Sequence, residues 1–581
     1  MQKKCRPSFH EAFFFTGILL CILLVEACLL PSHPIWVTDN GNKLMVGEQI
    51  AETGSDFFPV KPVHGIKYEK ENYPGVFHFH PMQKDGVEGY RSILPVSFPW
   101  LLGIAKRYFG LSAPLFFPIL GTCLTFFLFQ ILLSTLRCSS RIRITLNLLW
   151  LVSAPYLFYS GTIWEMTLSC VFPMLSWLLW RNGRHFLAGL SLGMGLWLRE
   201  ECAVIAFLAG CSVLWVFRKE IPWRKLVSFS MGFLFPAGLL CLYNQINYDQ
   251  ILGLHGSLYY THNTEHAIHR TAIQRLLHGY WMYLFRFEGR DAIPFSAENI
   301  PTIMLVAVCV SGAFRKREEL KRIIMVPALC CYGMTYILTA RHDALITDAG
   351  FNTGFIANSP LFLGFFLTWR EQLESPRQSI RVLSWIALLY MLVMPPLLTQ
   401  SDIGIIWGAR HFLFLSPLYL LLSCHGFLHV YRMRRQALHA VIVILFAISS
   451  FWTMLSLYAL HLQANQVQYA TDFLESHVSP GTPIITDIFY LPELTPLTAK
   501  SRCFLYVKSD EALLRLVEKM KERKQNFALL LSTSEPYYGN ITEKCLEQLN
   551  REEHLVAQGP YLMEKRGDTF VQFCIISASW R

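Results

Sequence analysis

Residues 185–217 read HFLAGLSLGMGLWLREECAVIAFLAGCSVLWVF. Two apolar runs, 185–198 and 202–217, flank one knot of charge, Arg199-Glu200-Glu201. The far ends of the pair are closed by Arg181 and Arg184 on one side and by Arg218 and Lys219 on the other. A solvated loop has no need of three adjacent charges with apolar flanks. A pair of membrane helices accounts for the whole pattern: apolar runs in lipid, cations at the cytoplasmic ends, and costly charge only where the chain turns at the opposite interface.

The rest of the chain repeats this design. Of its 581 residues 53% are hydrophobic, 14% aromatic and only 16% charged, against roughly 25% charged in an ordinary soluble domain. That excludes a disordered chain, a disulfide scaffold and a conventional soluble enzyme. The net charge of +10, from 51 Lys and Arg against 41 Asp and Glu, does not indicate nucleic acid, because the cations sit in short clusters between apolar runs. Most of the 16 cysteines, among them Cys21, Cys28, Cys123, Cys170 and Cys309, lie inside apolar runs and read as small buried hydrophobes.

Spans are expected near 12–30, 112–136, 143–161, 165–180, 185–198, 202–217, 226–247, 300–314, 323–340, 355–369, 380–399, 411–430 and 437–460. Several are short, so the fold class is an α-helical polytopic membrane protein with about 11–13 transmembrane helices. The first run follows Lys3, Lys4 and Arg6 and reads as a retained helix rather than a signal peptide, since no small-x-small cleavage site follows. With the N-terminus in the cytoplasm, every Arg/Lys cluster falls on one side: Arg137/Arg141/Arg143, Arg181/Arg184, Arg218–Lys225, Arg315–Arg322, Arg370/Arg377/Arg381 and Arg432/Arg434/Arg435. The loops 31–111 and 248–298, and everything after about residue 461, then lie outside the cytoplasm. A semi-apolar helix opened by Pro95, Pro99 and Trp100 is expected at the membrane surface.

From residue 463 the character changes. Pro483–Asp487, Cys503–Val507 and Phe527–Leu531 read as buried strands. Ser509 caps an amphipathic helix with Leu513, Leu516, Val517 and Met520 on one face. The domains expected are a transmembrane part, 1–462, and a small extracytoplasmic α/β domain, 463–581.

Four polar clusters from distant parts of the chain are expected at the outer interface. Trp36-Val-Thr-Asp39-Asn-Gly-Asn-Lys43 leads into a helix, 44–53, ended by Gly54, so Asp39 is either its N-cap or a catalytic carboxylate. Trp164-Glu165 opens a span, where Glu gains from the helix dipole. Arg199-Glu200-Glu201 is the second turn. Trp407-Gly-Ala-Arg410-His411 stands at the mouth of a late span, where a guanidinium can clamp a phosphate at two points. Carboxylates for base work and cations for a phosphate-bearing lipid suit an enzyme whose donor is a membrane lipid. His64, His78 and His80 in the first loop read as structural histidines rather than a zinc site, and 255–270, with Tyr259, Tyr260 and His262, reads either as a substrate loop or as an ordinary surface loop.

At these residues the sequence resembles the GT-C class of integral-membrane glycosyltransferases, which includes the protein O-mannosyltransferases and the bacterial lipid A aminoarabinose transferases. The resemblance rests on Asp39-Asn-Gly-Asn-Lys43, the Trp164-Glu165 turn, Leu198-Arg199-Glu200 and Trp-Gly-x-Arg410, in that order. It implies a polyprenyl-phosphate-linked sugar donor, a glycolipid, glycan or protein acceptor, and the bacterial inner membrane with the C-terminal domain outside. It implies Asp39 as base, with Glu165 or Glu201 as the second carboxylate. Lys43, Arg199, Glu200, Glu201, Arg341, Arg410 and His411 become substrate-binding candidates. Asn40 stands where many members have a second acid, so a divalent cation cofactor stays open and no metal ligand is assigned. A transporter or flippase, and an O-antigen ligase or polymerase, are the alternatives. Against the first, no inverted repeat or broken-helix pair stands out.

Overall fold

The computed structural model of the chain describes residues 9–59, 79–84, 86–110, 113–135, 140–153, 155–254, 279–280, 283–284, 354–398, 410–432, 436–488, 491–532, 544–545, 548–549, 558–562 and 573–578. Contacts divide it into two compact units: residues 1–29 with 115–460, and residues 30–114 with 461–581. The second unit thus joins the residues after 460 with residues 30–114.

The first unit is helical. In chain order it contains α1 (Phe9–Leu29), then α4 (Phe116–Thr135), α5 (Ser140–Ser153), α6 (Tyr156–Ser160), α7 (Met166–Ser169), α8 (Val171–Arg181), α9 (His185–Leu196), α10 (Glu201–Val216) and α11 (Trp223–Tyr248); α2 and α3 belong to the second unit. The helix Gln378–Leu398, a 3₁₀ turn Arg410–Leu415 and the helix Ser416–Arg432 follow, then a helix of 42 residues, Gln436–His477. Among the described residues six helices are long and apolar enough to cross a membrane, and three shorter apolar ones accompany them. The chain is an integral multi-pass membrane protein. The side chains say the same: α11 leaves Met231, Leu234, Phe235 and Ile246 exposed, an arrangement that suits lipid and not water.

Several expected spans are built differently. The run 143–161 is α5 and α6, and Pro155, which lacks an N–H to continue a helical ladder, stands at the start of the second piece. The run 165–180 is α7 and α8, and Pro173, whose ring crowds the carbonyl four residues back, lies just past the break. The run 355–369 is three short pieces, Phe355–Asn358, Pro360–Phe362 and Leu363–Leu367, interrupted by Pro360. The final helix continues to His477 instead of ending at 460. The spans 300–314 and 323–340, the loop 255–270 and Arg341 lie outside the described residues.

Glycine sets the crossing of α9 and α11. A Cβ on Gly189 of α9 would meet the Phe229 carbonyl of α11, and one on Gly232 of α11 would meet the Phe186 carbonyl of α9. Small residues facing each other let backbones pack where no hydrophobic drive exists between helices in lipid.

The second unit begins with α2 (Thr38–Thr53), a three-stranded antiparallel sheet of β1 (Phe58–Pro59), β2 (Phe79–Lys84) and β3 (Val87–Ser92), and α3 (Ser97–Phe109). Gly54 ends α2 at φ 73°, its N–H donating to the Ile50 carbonyl. α3 is the helix opened by Pro95 and Pro99; it buries Phe98 and Leu102 and exposes Tyr108 and Phe109.

The C-terminal part of this unit is a five-stranded sheet, ordered β5-β4-β6-β8-β7, of β4 (Ile484–Thr486), β5 (Phe504–Tyr506), β6 (Phe527–Ser532), β7 (Gln558–Leu562) and β8 (Phe573–Ala578). β4 is parallel to β5 and β6, and β8 is antiparallel to β6 and β7. Both faces are covered, which is why the strands read as unbroken apolar runs. Ile485, Leu505 and Leu529 pack against Leu513, Leu516, Val517 and Met520 of the helix Asp510–Glu522. Ile484, Phe504, Ala528 and Leu530 pack against Ala470, Leu474 and Val478. Ser509 caps the helix as expected, accepting from the Ala512 N–H at 3.3 Å.

Candidate functional site

In the first unit the residues of three sequence clusters meet. The turn before α7 is fixed first. Ser160 Oγ is 2.7 Å from Thr122 Oγ1 of α4, and Thr167 Oγ1 donates to the Pro118 carbonyl at 2.7 Å. Gly121 lies so close to the backbone of Thr167 and Leu168 that no side chain fits between. This clamp holds Trp164 and Glu165, each 1% exposed, inside the protein.

The second contributor is the α9–α10 turn. Arg199 Nη1 donates to Glu165 Oε1 at 3.2 Å. Its Nε and Nη2 donate to the two oxygens of Glu201, at 3.0 and 2.5 Å. A guanidinium partly withdrawn from water is tolerable because two carboxylates answer three of its N–H groups.

The third contributor is the 3₁₀ turn Arg410–Leu415. His411 Nδ1 lies 2.5 Å from Glu201 Oε1, a hydrogen bond when that nitrogen carries the proton. Glu201 therefore holds both Arg199 and His411. The turn is pinned by tyrosines that satisfy its buried carbonyls: Tyr390 Oη donates to the His411 carbonyl at 2.7 Å, and Tyr156 Oη to the Leu413 carbonyl at 3.1 Å. The Arg410 guanidinium lies over the Trp164 indole, 4.8 Å from its centroid, a cation–π arrangement. Both arginines act electrostatically on buried Tyr159 and on His411.

The clusters at Glu165, Arg199/Glu201 and Arg410/His411 are thus brought together. Glu200 is exposed, whereas Glu201 is buried. The aromatic frame of Tyr156, Tyr159, Tyr283 and Tyr390 carried no sequence signal; Tyr283 meets the His411 ring edge-on at 5.9 Å.

In the second unit Asp39 is not the N-cap. The helix starts earlier than expected, at Thr38, with Val37 in the cap position. Asn40 does the capping: its Oδ1 accepts from the Trp36 and Val37 N–H groups at 3.1 and 3.2 Å. Asp39 is half-buried in the first turn, where a negative charge gains from the helix dipole. Lys43 is buried, 2% exposed. Asn42, which the sequence reading passed over, donates to Glu493 Oε1 at 3.2 Å and accepts from Ser92 Oγ at 2.7 Å. Among the described residues no group of three or more His, Cys, Asp or Glu gathers as a divalent cation requires. His80 lies in β2, and His64 and His78 fall outside the described residues.

No family model matches the chain, and no curated protein matches it in sequence. Among solved structures it is similar to apo ArnT from Cupriavidus metallidurans, at 9% identity and TM-score 0.49 over 98% of both chains. The same enzyme bound to undecaprenyl phosphate aligns at 10% identity and TM-score 0.49, again over 98% of both. The Archaeoglobus fulgidus oligosaccharyltransferase in complex with Zn and sulfate aligns at 12% identity and TM-score 0.46, over 89% of this chain and 68% of that one.

Proposed function

We propose that the protein transfers a sugar from a polyprenyl-phosphate-linked donor to an acceptor hydroxyl or amine at the extracytoplasmic face of the bacterial inner membrane. The observation that carries this reading is the buried assembly of Glu165, Arg199, Glu201 and His411 beside Arg410 at the ends of membrane helices. Buried charge among membrane helices is expensive and marks function.

In this mechanism Asp39 accepts the acceptor's proton as its nucleophilic atom attacks the anomeric carbon. The bond from that carbon to the phosphate oxygen breaks, and polyprenyl phosphate leaves with the electron pair. Arg410 neutralises the leaving phosphate. Its guanidinium is held flat on Trp164, so its planar fork is pre-oriented. Arg199 contributes positive field while Glu165 and Glu201 keep it in place, so these two acids act as positioning residues rather than bases. Lys43, Glu200, Arg341 and His411 complete the candidate set, His411 fixing the turn that carries Arg410.

We assign the donor's hydrocarbon chain to an apolar pocket among the membrane helices. Trp177, Trp180, Ile205 and Val213 line it, together with Phe414 and Leu415 of the turn that begins at Arg410. The test is transfer from a polyprenyl-phosphate-linked sugar by purified protein in liposomes, with gene deletion and mass spectrometry of envelope glycans to identify sugar and acceptor. No change in any envelope glycan and no transfer from any such donor would refute the reading.

A further inference from the structure

Gly41 and Asn42, the third and fourth residues after Thr38 in α2, meet the C-terminal part of their unit at one residue, Glu493. A Cβ on Gly41 would fall on the Glu493 carbonyl, so glycine is required for the approach. The next residue, Asn42, donates its amide to Glu493 Oε1 at 3.2 Å, and its own Oδ1 accepts from Ser92 Oγ at 2.7 Å. Asn42, Ser92 and Glu493 are all buried, Asn42 and Glu493 at 0% exposure. The short helices Leu491–Leu494 and Pro496–Ser501, which pack on α2, follow β4 of the five-stranded sheet in the chain. A carboxylate out of water is costly unless it is bonded, and a glycine-mediated backbone approach is poorly tolerant of change. Nothing about a cap or a core requires a polar link here, since Asn40 already caps α2 and Val46 and Ile50 already bury its apolar side.

We infer that Glu493 is a positioning residue for the Asp39 helix. Through Asn42 and Gly41 the C-terminal domain sets the rotation and depth of the first turn of α2, and with it the direction of the Asp39 carboxylate. The inference rests on the proposed role of Asp39 as base. It makes the C-terminal domain part of the catalytic apparatus. A displacement of about 1 Å at a reacting group can cost on the order of a hundredfold in rate, so a modest loosening of this link is enough to be read in turnover.

The experiment compares wild type with Glu493→Ala, Glu493→Gln, Asn42→Ala and the Glu493→Ala/Asn42→Ala double variant, all in the full-length protein in liposomes. Glu493→Ala is expected to lower kcat by roughly ten- to a hundredfold while the KM for donor stays within about twofold. Glu493→Gln keeps an oxygen that accepts from Asn42 and is expected to restore most of the rate. The double variant is expected to be no slower than the worse single one, because both cut the same link. Asn42→Ala keeps the test alive if Glu493→Ala does not fold. A kcat for Glu493→Ala and Asn42→Ala equal to wild type overturns the inference. So does a Glu493→Gln protein as slow as the alanine variant, which would make the carboxylate's charge, not its hold on Asn42, the active feature. Amide hydrogen exchange of residues 38–53 gives a readout independent of catalysis. Protection is expected to fall at least about tenfold in Glu493→Ala and to stay near wild type in Glu493→Gln. If wild type transfers no sugar but this exchange pattern appears, the proposed function fails and the coupling stands; if wild type is active and exchange is unchanged, the coupling alone fails.

Discussion

Glu201 grips Arg199 side-on, with Oε2 3.0 Å from Nε and Oε1 2.5 Å from Nη2, although the two residues are only two apart in sequence. The pairing folds the arginine back over the start of α10 and leaves Nη1 for Glu165. One carboxylate thus ties the α9–α10 turn to the turn before α7 and, through His411, to the turn that carries Arg410.

Removing that buried carboxylate leaves the partly buried Arg199 guanidinium to Glu165 and breaks the bond to His411. Glu201→Ala is expected to lower stability by about 3–5 kcal/mol. Glu200→Ala, next door but exposed, is expected to stay within about 0.5 kcal/mol of wild type. Thermal unfolding in detergent separates them; equal melting temperatures for the two variants would mean that the buried network does not support the fold.

Arg410→Ala removes the cation from the Trp164 face without touching Asp39. It is expected to raise the KM for donor lipid at least about tenfold, with Arg410→Lys recovering only part because the planar, stacked fork is lost. Donor titration in liposomes reads this directly, and an unchanged KM would assign the phosphate to another group.

The α9–α11 crossing has no room for a side chain at Gly189 or Gly232. Gly189→Val is expected to destabilise the protein by about 1–3 kcal/mol through overpacking. A variant at Gly238 of α11, where no atom lies within 4 Å, serves as the tolerant control, and equal losses at both sites would show that the crossing is not tight.

Cys545 is buried, 4% exposed, and burial aided by the nearby Asp510 pushes its thiol up to about 11. Since the thiolate is the reactive form, it is scarce at pH 7–9 and appears only as pH rises toward about 11. Cys545 is therefore expected to resist maleimide at pH 7.5 until the protein is denatured. Rapid labelling of the native protein would contradict its place in the core beside Leu513 and Leu516.

Much of this was legible in the sequence because lipid enforces a simple rule. Apolar runs and one-sided cation clusters marked the membrane helices, and the continuous runs 483–487 and 527–531 marked strands buried on both faces. The charged turns at Glu165, Arg199 and Arg410 were legible for the same reason, since charge at a membrane boundary has to be explained. The helix breaks at Pro155 and Pro360 were missed because hydropathy does not fall there. Helix α2 begins at Thr38 rather than at residue 44, and it is Asn40, not Asp39, that satisfies the Trp36 and Val37 N–H groups. The Asn42–Glu493 bond joins residues 451 positions apart, and no local pattern encodes such a pairing.

The central claim is that Asp39 is the base, and Asp39→Asn tests it most directly. The substitution keeps the shape of the side chain, and the cap made by Asn40 is untouched. Only the favourable charge in the first turn is lost, worth about 0.3–1 kcal/mol, so the protein is expected to insert and melt nearly as wild type does. A general base contributes about 10²–10⁴-fold to rate. The measurement is sugar transfer from a polyprenyl-phosphate donor in liposomes by folded Asp39→Asn protein. A fall in kcat of at least about a hundredfold, with donor binding retained, is the predicted result; a rate near wild type would contradict the account and move the base to another acid.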